Sequence, residues 1–238
     1  MKNLNFLNSN LIAHRGMHNN IDIPENSIKA FKKAIKNNYI IELDIHLLKD
    51  NTIVVFHDDN IKRMTGINKN IKDYTYEELK KINLLDTKEK IPTFKEVLEL
   101  IDGKVPVIVE FKYDRKAGIL EQEAVKLLDN YKGLFCVKSF NPMSVRWFKK
   151  HRKNYIRGLL VDNKWGNKKE IISSSMILKF ICKPDFLSCK YSIIDKRRVK
   201  KLSKKIPVLG WTIKNKTNYL KYKDKFYNII CENFDDIL

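Results

Sequence analysis

The sequence predicts an α/β fold, a closed (β/α)8 barrel with a short insertion after its second barrel strand. Short apolar runs alternate with longer amphipathic stretches along the 238 residues, a pattern that indicates parallel strand–helix units. Nine such runs are present, and one lies too close to its neighbour to be parallel to it. Neither a low-complexity linker nor an internal repeat divides the chain, so we predict a single domain over residues 1–238.

The nine runs are short enough for strands and are bounded by polar or turn-forming residues. They span residues 11–13, 39–45, 52–57, 105–111, 134–140, 155–161, 185–189, 206–212 and 227–233. Only HLLKDN separates the second run from the third, whereas a parallel crossover needs about a dozen residues or more. These two runs are therefore predicted to pair antiparallel through a turn at Lys49-Asp50-Asn51. Eight parallel strands remain, with an insertion over about 46–90.

Two of the helices between the strands carry recognisable start signals. Asn26 or Ser27 is the predicted N-cap of the helix that follows the first strand. Thr93 and Glu96 form a predicted capping box for the helix that precedes the fourth run. Both helices are placed as the fold class requires, on the chain between two strands.

The chain is strongly basic, with a formal net charge of +19. Most of its 47 basic residues are lysines, whereas nucleic-acid-binding proteins favour arginine for contacts with phosphate and guanine. We attribute the charge to a drift in composition and predict no nucleic-acid partner; peripheral contact with an anionic membrane is the functional alternative. The densest basic runs, 147–153 and 196–205, are interpreted as exposed faces of amphipathic helices.

Four cysteines are far apart in the sequence and include no C-x-x-C pair, which argues against structural zinc. They are Cys136, Cys182, Cys189 and Cys231. Buried free thiols are the expected state for those in apolar runs.

Neither a signal peptide nor a run of about 18 apolar residues is recognised, and we predict a cytoplasmic protein.

Polar residues collect where the predicted strands end, which is where a (β/α)8 barrel builds its active site. Residues two apart in a strand point to the same face. The residues in question are His14, Arg15, Glu42, Asp44, His57, Glu110 and Lys112. Carboxylate oxygens from three strand positions suit Mg²⁺ or Ca²⁺, and two histidines suit proton transfer near neutral pH.

Each of these signals has a structural alternative. A single histidine at a strand end is more often a core residue, an E-x-D pair is also typical of an edge-strand salt bridge, and Glu110 with Lys112 reads equally as an ion pair. Their joint occurrence at equivalent positions on separate strands favours an active site.

Six segments of the sequence resemble the glycerophosphodiester phosphodiesterase family, in family order from about residue 10 to the C-terminus. They are HRG…PENS…AF, ELDIHLLKDNTIVVFHDDNIKRMTG, IPTFKEVLELI, VIVEFK, VKSF and GWTI. The resemblance implies a TIM barrel that hydrolyses glycerophosphodiesters to glycerol 3-phosphate and an alcohol, with Mg²⁺ or Ca²⁺ as cofactor. It also implies that Glu42, Asp44 and Glu110 are metal ligands and that His14 and His57 are the general acid and base.

Four further residues receive substrate-binding roles through the same resemblance. Arg15 and Lys112 match positions that hold the phosphate, Arg15 through two parallel hydrogen bonds and Lys112 as a point charge. Trp211 and Phe140 are expected to pack against the glycerol carbons or the leaving group. Which histidine is the acid, and whether water or the neighbouring glycerol hydroxyl attacks first, remain open.

Two positions outside this set bear on the pocket. Glu25, in the Pro-Glu-Asn loop, is expected to orient one of the inner residues. Glu232-Asn233 stands where family members often carry Thr-Asp, a departure that affects the outer edge of the expected pocket.

The expected substrates are glycerophosphocholine and glycerophosphoethanolamine. The alternatives are a phospholipase D-like activity on lysophospholipids at a membrane surface, a glycosidase with paired carboxylates, and a non-catalytic anion-binding module.

Overall fold

The computed structural model of the protein describes residues 2–112, 117–162 and 181–237. In these ranges nine strands form one sheet in the order β1-β9-β8-β7-β6-β5-β4-β2-β3, and a pairing of β1 with β2 closes it into a barrel. The strands are β1 (Ile12–His14), β2 (Ile40–Leu47), β3 (Ile53–Val55), β4 (Val107–Phe111), β5 (Phe135–Ser139), β6 (Arg157–Val161), β7 (Phe186–Lys190), β8 (Val208–Ile213) and β9 (Asn228–Cys231). β3 runs antiparallel to β2, and the other eight strands are parallel. The predicted closed barrel of eight parallel strands is confirmed.

Helices occupy the connections between strands. In the described ranges they are α1 (Ile28–Lys36), α2 (Lys62–Thr65), α3 (Tyr76–Leu79), α4 (Phe94–Ile101), α5 (Ile119–Leu128), α6 (Pro142–His151), α7 (Arg197–Ser203), α8 (Lys216–Tyr222) and α9 (Phe234–Ile237). Ser27, one of the two predicted caps, accepts a hydrogen bond from the Ala30 N–H and begins α1. Thr93 and Glu96 form the predicted capping box of α4. Asn26 has a different role, at the barrel mouth.

The segment between β2 and α4 contains β3, α2, a 3₁₀ turn at Ile71–Asp73 and α3. Asn51 takes a left-handed backbone conformation in the turn between β2 and β3, with φ of 63°. The segment has a small apolar cluster of its own: Leu48, Val54, Phe56, Ile61, Met64, Ile71, Tyr74, Leu79, Leu84 and Ile91. This packing holds α2 near the barrel mouth, where Arg63 contributes to the site described below.

Side chains inside the barrel follow the two-residue repeat of a strand. The layer near the amino ends is apolar and buried: Leu7, Ile12, Ile40, Ile108, Cys136, Phe186, Leu209 and Ile230. Two residues further along these strands, the same face carries His14, Glu42, Glu110, Lys138, Ser188, Trp211 and Glu232. An apolar floor therefore supports a largely polar layer at the carboxyl ends, and the alternation of each strand determines which residues belong to it.

Candidate active site

Three carboxylates lie together at the carboxyl ends of β2 and β4. Glu42 and Asp44 share one face of β2, and Glu110 of β4 is in register with Asp44. Each contributes an oxygen that lies within 4.8 Å of those of the other two. All three side chains are buried, with exposed fractions of 0%, 1% and 6%. The structure thus brings together the three residues that the sequence predicts as metal ligands.

Two lysines face these carboxylates. The Nζ of Lys112 lies 2.9 Å from Asp44 Oδ1 and 2.8 Å from Glu110 Oε1. The Nζ of Lys138 lies 2.8 Å from Glu42 Oε1 and 3.3 Å from Glu110 Oε2. Burial acts to lower the pKa of each ammonium group, but the neighbouring carboxylates outweigh it and raise the pKa above its ordinary value. Both lysines are therefore charged at neutral pH.

Arg15 joins the cluster through its backbone and its side chain. Its N–H donates to Glu42 Oε2 at 3.1 Å, and Nη1 donates to Glu25 Oε1 at 2.6 Å. Its Nε lies 3.3 Å from Asp44 Oδ2. Burial acts to raise the pKa of Asp44, yet Lys112 and Arg15 together hold that pKa well below its ordinary range. Asp44 is therefore ionised over the whole neutral range.

The turn after β1 depends on backbone conformations that few residues adopt. Arg15 has φ of 55° and Gly16 has φ of 77°. A Cβ at Gly16 would lie 2.9 Å from the carbonyl carbon of Ala30, so a side chain there would clash with α1. Asn26, also at positive φ, donates from its backbone to the Arg15 carbonyl at 2.9 Å and from Nδ2 to Asp44 Oδ2 at 3.0 Å. The His-Arg-Gly turn and the Pro-Glu-Asn loop are thus held to each other and to β2.

Each of the two predicted catalytic histidines has a carboxylate on its Nδ1 atom. His14 Nδ1 lies 2.5 Å from Glu232 Oε1, and its Nε2 lies 3.9 Å from Glu42 Oε2. His57 Nδ1 lies 2.5 Å from Asp58 Oδ1. A carboxylate at Nδ1 stabilises the tautomer with the proton there and leaves Nε2 as the atom that exchanges a proton with a ligand.

Glu232 belongs to this layer and not to the outer edge of the pocket. Besides His14, it contacts Lys214, whose Nζ lies 2.7 Å from Oε2. Burial acts to raise the pKa of Glu232, but His14 and Lys214 lower it below its ordinary range. The sequence analysis related Glu232-Asn233 only to the pocket edge. The contact of Glu232 with His14 could not be foreseen, because it joins the first and last strands of the barrel.

A chain of ion pairs connects the two histidine-bearing regions. Arg63 on α2 donates to Glu25 Oε1 at 2.6 Å and, from Nε, to Asp58 Oδ2 at 2.6 Å. Glu25 also binds Arg15, and Asp58 binds His57. The segment after β2 is thereby fixed to the loop after β1, and Asp58 is held in place for His57. Arg63 and Lys138 are residues of the site that the sequence analysis did not identify.

The pairing of Glu25 makes stability depend on pH. Burial acts to raise its pKa, but Arg63 and Arg15 lower it from 4.5 to about 2. The corresponding stabilisation, about 3 kcal/mol, is fully present above pH 4.5 and is lost as the pH falls from there towards 2. We expect Glu25→Gln to lower the free energy of unfolding at pH 7 and to flatten its decline below pH 4.5. Urea unfolding at a series of pH values measures both.

The matched control for this experiment is Glu99→Gln, because Glu99 is exposed on α4. It is expected to unfold as the wild type does at every pH. Identical pH profiles for the wild type and Glu25→Gln would contradict the expectation.

A cleft of about 310 Å³ opens over the carboxylates. It is lined by His57, Asp58, Asp59, Glu110, Phe111, Lys112 and Phe140. The ring of Phe140 meets that of Trp211 edge to face, with 5.9 Å between centroids. The two residues predicted to pack on the substrate thus form one aromatic wall at the mouth, and Phe140 is 45% exposed.

The carboxylate cluster fits a hard divalent cation. Mg²⁺ and Ca²⁺ take oxygen ligands, and Glu42, Asp44 and Glu110 offer carboxylate oxygens within reach of one ion. The donor set includes neither sulfur nor imidazole, which zinc prefers. The three carboxylates could therefore hold a divalent cation of the magnesium or calcium type.

A (β/α)8 barrel with carboxylates, buried cations and two carboxylate-bound histidines at its mouth defines a barrel hydrolase for anionic substrates. Residues 14–230 match the glycerophosphoryl diester phosphodiesterase family. The chain therefore belongs to this family, and the predicted fold, family and enzyme class are confirmed.

Individual relatives agree with this assignment. YhdW of Bacillus subtilis is 28% identical over 238 residues, which cover 96% of each chain. Human lysophospholipase D GDPD1 is 32% identical over 143 residues, covering 55% of this chain and 44% of that protein. Among solved structures, a phosphodiesterase of Oleispira antarctica in complex with the product sn-glycerol-3-phosphate has a TM-score of 0.79 at 22% identity, covering 96% of this chain and 94% of that chain. This last likeness is one of fold.

Two further features bear on the predictions made from composition. In the part of the chain that the structure describes, none of the helices has the length and apolar character needed to cross a membrane. The four cysteines are buried and form no disulfide within the described residues, as expected for those in apolar runs: Cys136, Cys182, Cys189 and Cys231.

Proposed function

We propose that this chain hydrolyses glycerophosphodiesters such as glycerophosphocholine and glycerophosphoethanolamine to glycerol 3-phosphate and an alcohol, with His14 and His57 transferring the protons. One observation carries the proposal. Two histidines, each bound through Nδ1 to a carboxylate, stand beside one cluster of three carboxylates at the mouth of the barrel. The product complex of the Oleispira antarctica phosphodiesterase supports the choice of product.

The cations of the site suit a phosphodiester monoanion. Arg15 and Lys112 are charged, lie beside Asp44 and are held in place by that carboxylate. Charge that develops on the phosphoryl oxygens in the transition state would be stabilised by these fixed groups at no further cost in reorganisation. Lys112 lines the cleft together with His57, so one phosphate could contact both residues.

The histidines supply the two proton transfers that the reaction needs. One imidazole, neutral at Nε2, accepts a proton from the attacking oxygen; the other, protonated, donates one to the departing alkoxide, which is otherwise a poor leaving group. Glu232 binds Nδ1 of His14 and Asp58 binds Nδ1 of His57. In each ring the opposite nitrogen, Nε2, is therefore left to exchange the proton. A divalent cation bound by Glu42, Asp44 and Glu110, either Mg²⁺ or Ca²⁺, would add Lewis-acid stabilisation of the phosphoryl oxygens.

An assay with defined substrates tests the proposal. Purified protein with Mg²⁺ or Ca²⁺ is incubated with glycerophosphocholine or glycerophosphoethanolamine, and ³¹P NMR follows conversion of the diester to glycerol 3-phosphate. We expect stoichiometric release of glycerol 3-phosphate by the wild type and none by the double variant His14→Ala/His57→Ala. Release of phosphocholine, or no turnover of either substrate with either ion, would overturn the proposal.

Lysophospholipid hydrolysis at a membrane surface is the second candidate function. Among the described residues, exposed apolar side chains in segments that follow strands, at the catalytic end of the barrel, include Ile21, Ile67, Ile119, Phe140 and Met143. These, with the basic surface, suit contact with an anionic membrane. Choline release from lysophosphatidylcholine that rises with anionic vesicles, without turnover of glycerophosphocholine, would favour this function over the first.

We also propose that the protein works in a reducing compartment, the cytoplasm. The support is that none of the four described cysteines forms a disulfide, as is usual in a compartment where thiols are kept reduced.

A further inference from the structure

A second cavity lies on the far side of the aromatic wall from the catalytic cleft. Its volume is about 360 Å³, and it is lined by Lys190, Tyr191, Trp211, Thr212, Lys214, Asn215 and Asn218. Trp211 borders this cavity and contacts Phe140, which borders the catalytic cleft. Lys214 borders it and binds Glu232, the partner of His14. The contact between Phe140 and Trp211 therefore places the two cavities next to each other.

Lys190 points towards the barrel mouth because of its register in β7. Phe186, two alternations earlier, is part of the buried apolar layer inside the barrel, and Ser188 follows on the same inner face. Lys190 is next on that face and in register with Trp211 of β8. Among the described residues its ammonium group has no ion-pair or hydrogen-bond partner, unlike Lys112 and Lys138.

The groups directed at this cavity are mainly hydrogen-bond donors. Lys190 offers three N–H donors, and Thr212, Asn215 and Asn218 add hydroxyl and amide groups that can also donate. Lys214 adds a second positive charge, partly balanced by Glu232. None of the described residues that line the cavity carries a carboxylate. A trimethylammonium group would meet two ammonium groups here, whereas phosphate or carboxylate oxygens would meet donors on several sides.

We propose that this second cavity binds the leaving-group side of the substrate and selects alcohols that carry a further negative charge, a phosphate above all. Lys190 is then a specificity-determining residue that acts on the far end of the alcohol. The inference rests on the proposed function, because it assigns the leaving group of that reaction to a particular cavity.

A matched pair of substrates isolates the second charge. Glycerophosphoglycerol and the same compound phosphorylated on its distal glycerol differ only in that group, and ³¹P NMR follows loss of the diester signal in both. We expect the wild type to have a kcat/KM about tenfold higher for the phosphorylated compound, with the preference falling as ionic strength rises. Lys190→Gln is expected to remove most of that preference. Lys205→Gln, an exposed lysine before the amino end of β8, is the control and is expected to keep the wild-type ratio.

The outcomes separate this inference from the proposed function. Equal kcat/KM values for the two compounds in the wild type, or an unchanged ratio in Lys190→Gln, would overturn the inference while leaving the hydrolase activity established. Loss of the preference in Lys205→Gln as well would assign it to the general surface charge and overturn the inference too. No turnover of any glycerophosphodiester would overturn the proposed function itself.

Discussion

Replacing either His14 or His57 with alanine is expected to lower kcat for glycerophosphocholine about a thousandfold, with little change in KM. In the proposed mechanism both imidazoles act on protons that move during the reaction, whereas Arg15 and Lys112, which lie beside Asp44, would provide the charge that binds the phosphate. Removing an imidazole is therefore expected to lower kcat and to leave KM nearly unchanged. Steady-state kinetics on the purified variants measures it, and thermal unfolding verifies that each variant is folded.

A substrate with an activated leaving group distinguishes the acid from the base. Glycerophospho-p-nitrophenol expels a stable phenolate that needs no proton, so loss of the general acid costs little with this compound. We expect one of the two alanine variants to recover most of its activity on it and the other to remain impaired. His151→Ala is the matched control because His151 is exposed at the end of α6. Full activity of either single variant on glycerophosphocholine would remove that histidine from the proposed pair.

The carboxylates on Nδ1 are expected to matter less than the imidazoles themselves. In Glu232→Gln the amide oxygen can still accept a hydrogen bond from His14 Nδ1, but the negative charge that stabilises an imidazolium is lost. If Glu232 positions His14, the kcat of Glu232→Gln lies between the kcat of the wild type and that of His14→Ala. The KM of Glu232→Gln is expected to equal that of the wild type.

Local patterns were sufficient to predict much of this site. The two-residue repeat of a strand places Glu42 and Asp44 on one face of β2, and the same repeat, continued one residue past the end of β4, places Lys112 on the face of Glu110. The antiparallel pairing of β3 followed from the shortness of HLLKDN alone. Since the active site of a (β/α)8 barrel lies at its strand ends, these local facts were enough to predict where the candidate site lies.

Contacts between distant parts of the chain could not be predicted in the same way. The pairing of Glu232 with His14 spans 218 residues, and that of Arg63 with Glu25 depends on where α2 packs. Lys138 lies in an apolar strand, where its charge gave no sign of the two carboxylates on β2 and β4 that stabilise it. Asn26, a candidate helix cap by sequence, instead holds Asp44. In each case the partner is supplied by the closed barrel or by packing at its mouth and not by neighbouring residues.

Removing divalent ions is expected to reduce turnover of glycerophosphocholine by at least about a hundredfold, and adding Mg²⁺ or Ca²⁺ is expected to restore it. The charges of the site explain why. Glu42, Asp44 and Glu110 are balanced by Lys112, Lys138 and Arg15, so the formal charge of the six groups is zero. A bound divalent ion makes the site positive, which favours a phosphodiester anion and the charge that grows on it. Activity that EDTA leaves unchanged would contradict this role for the three carboxylates.

Binding of the ion can be measured without any reaction. A ligand present at about a hundred times its dissociation constant raises the free energy of unfolding by about 3 kcal/mol, so Mg²⁺ or Ca²⁺ should raise the melting temperature of the wild type. Asp44→Asn removes one of the three proposed carboxylate ligands and is expected to lose most of that increase, with metal affinity reduced at least about a hundredfold by calorimetry. Asp102→Asn, a change of the same kind at an exposed residue that ends α4, is expected to respond to the ion as the wild type does. Because this measurement reports occupancy alone, a normal response in Asp44→Asn would show that the ion binds elsewhere, whatever the activity of the variant.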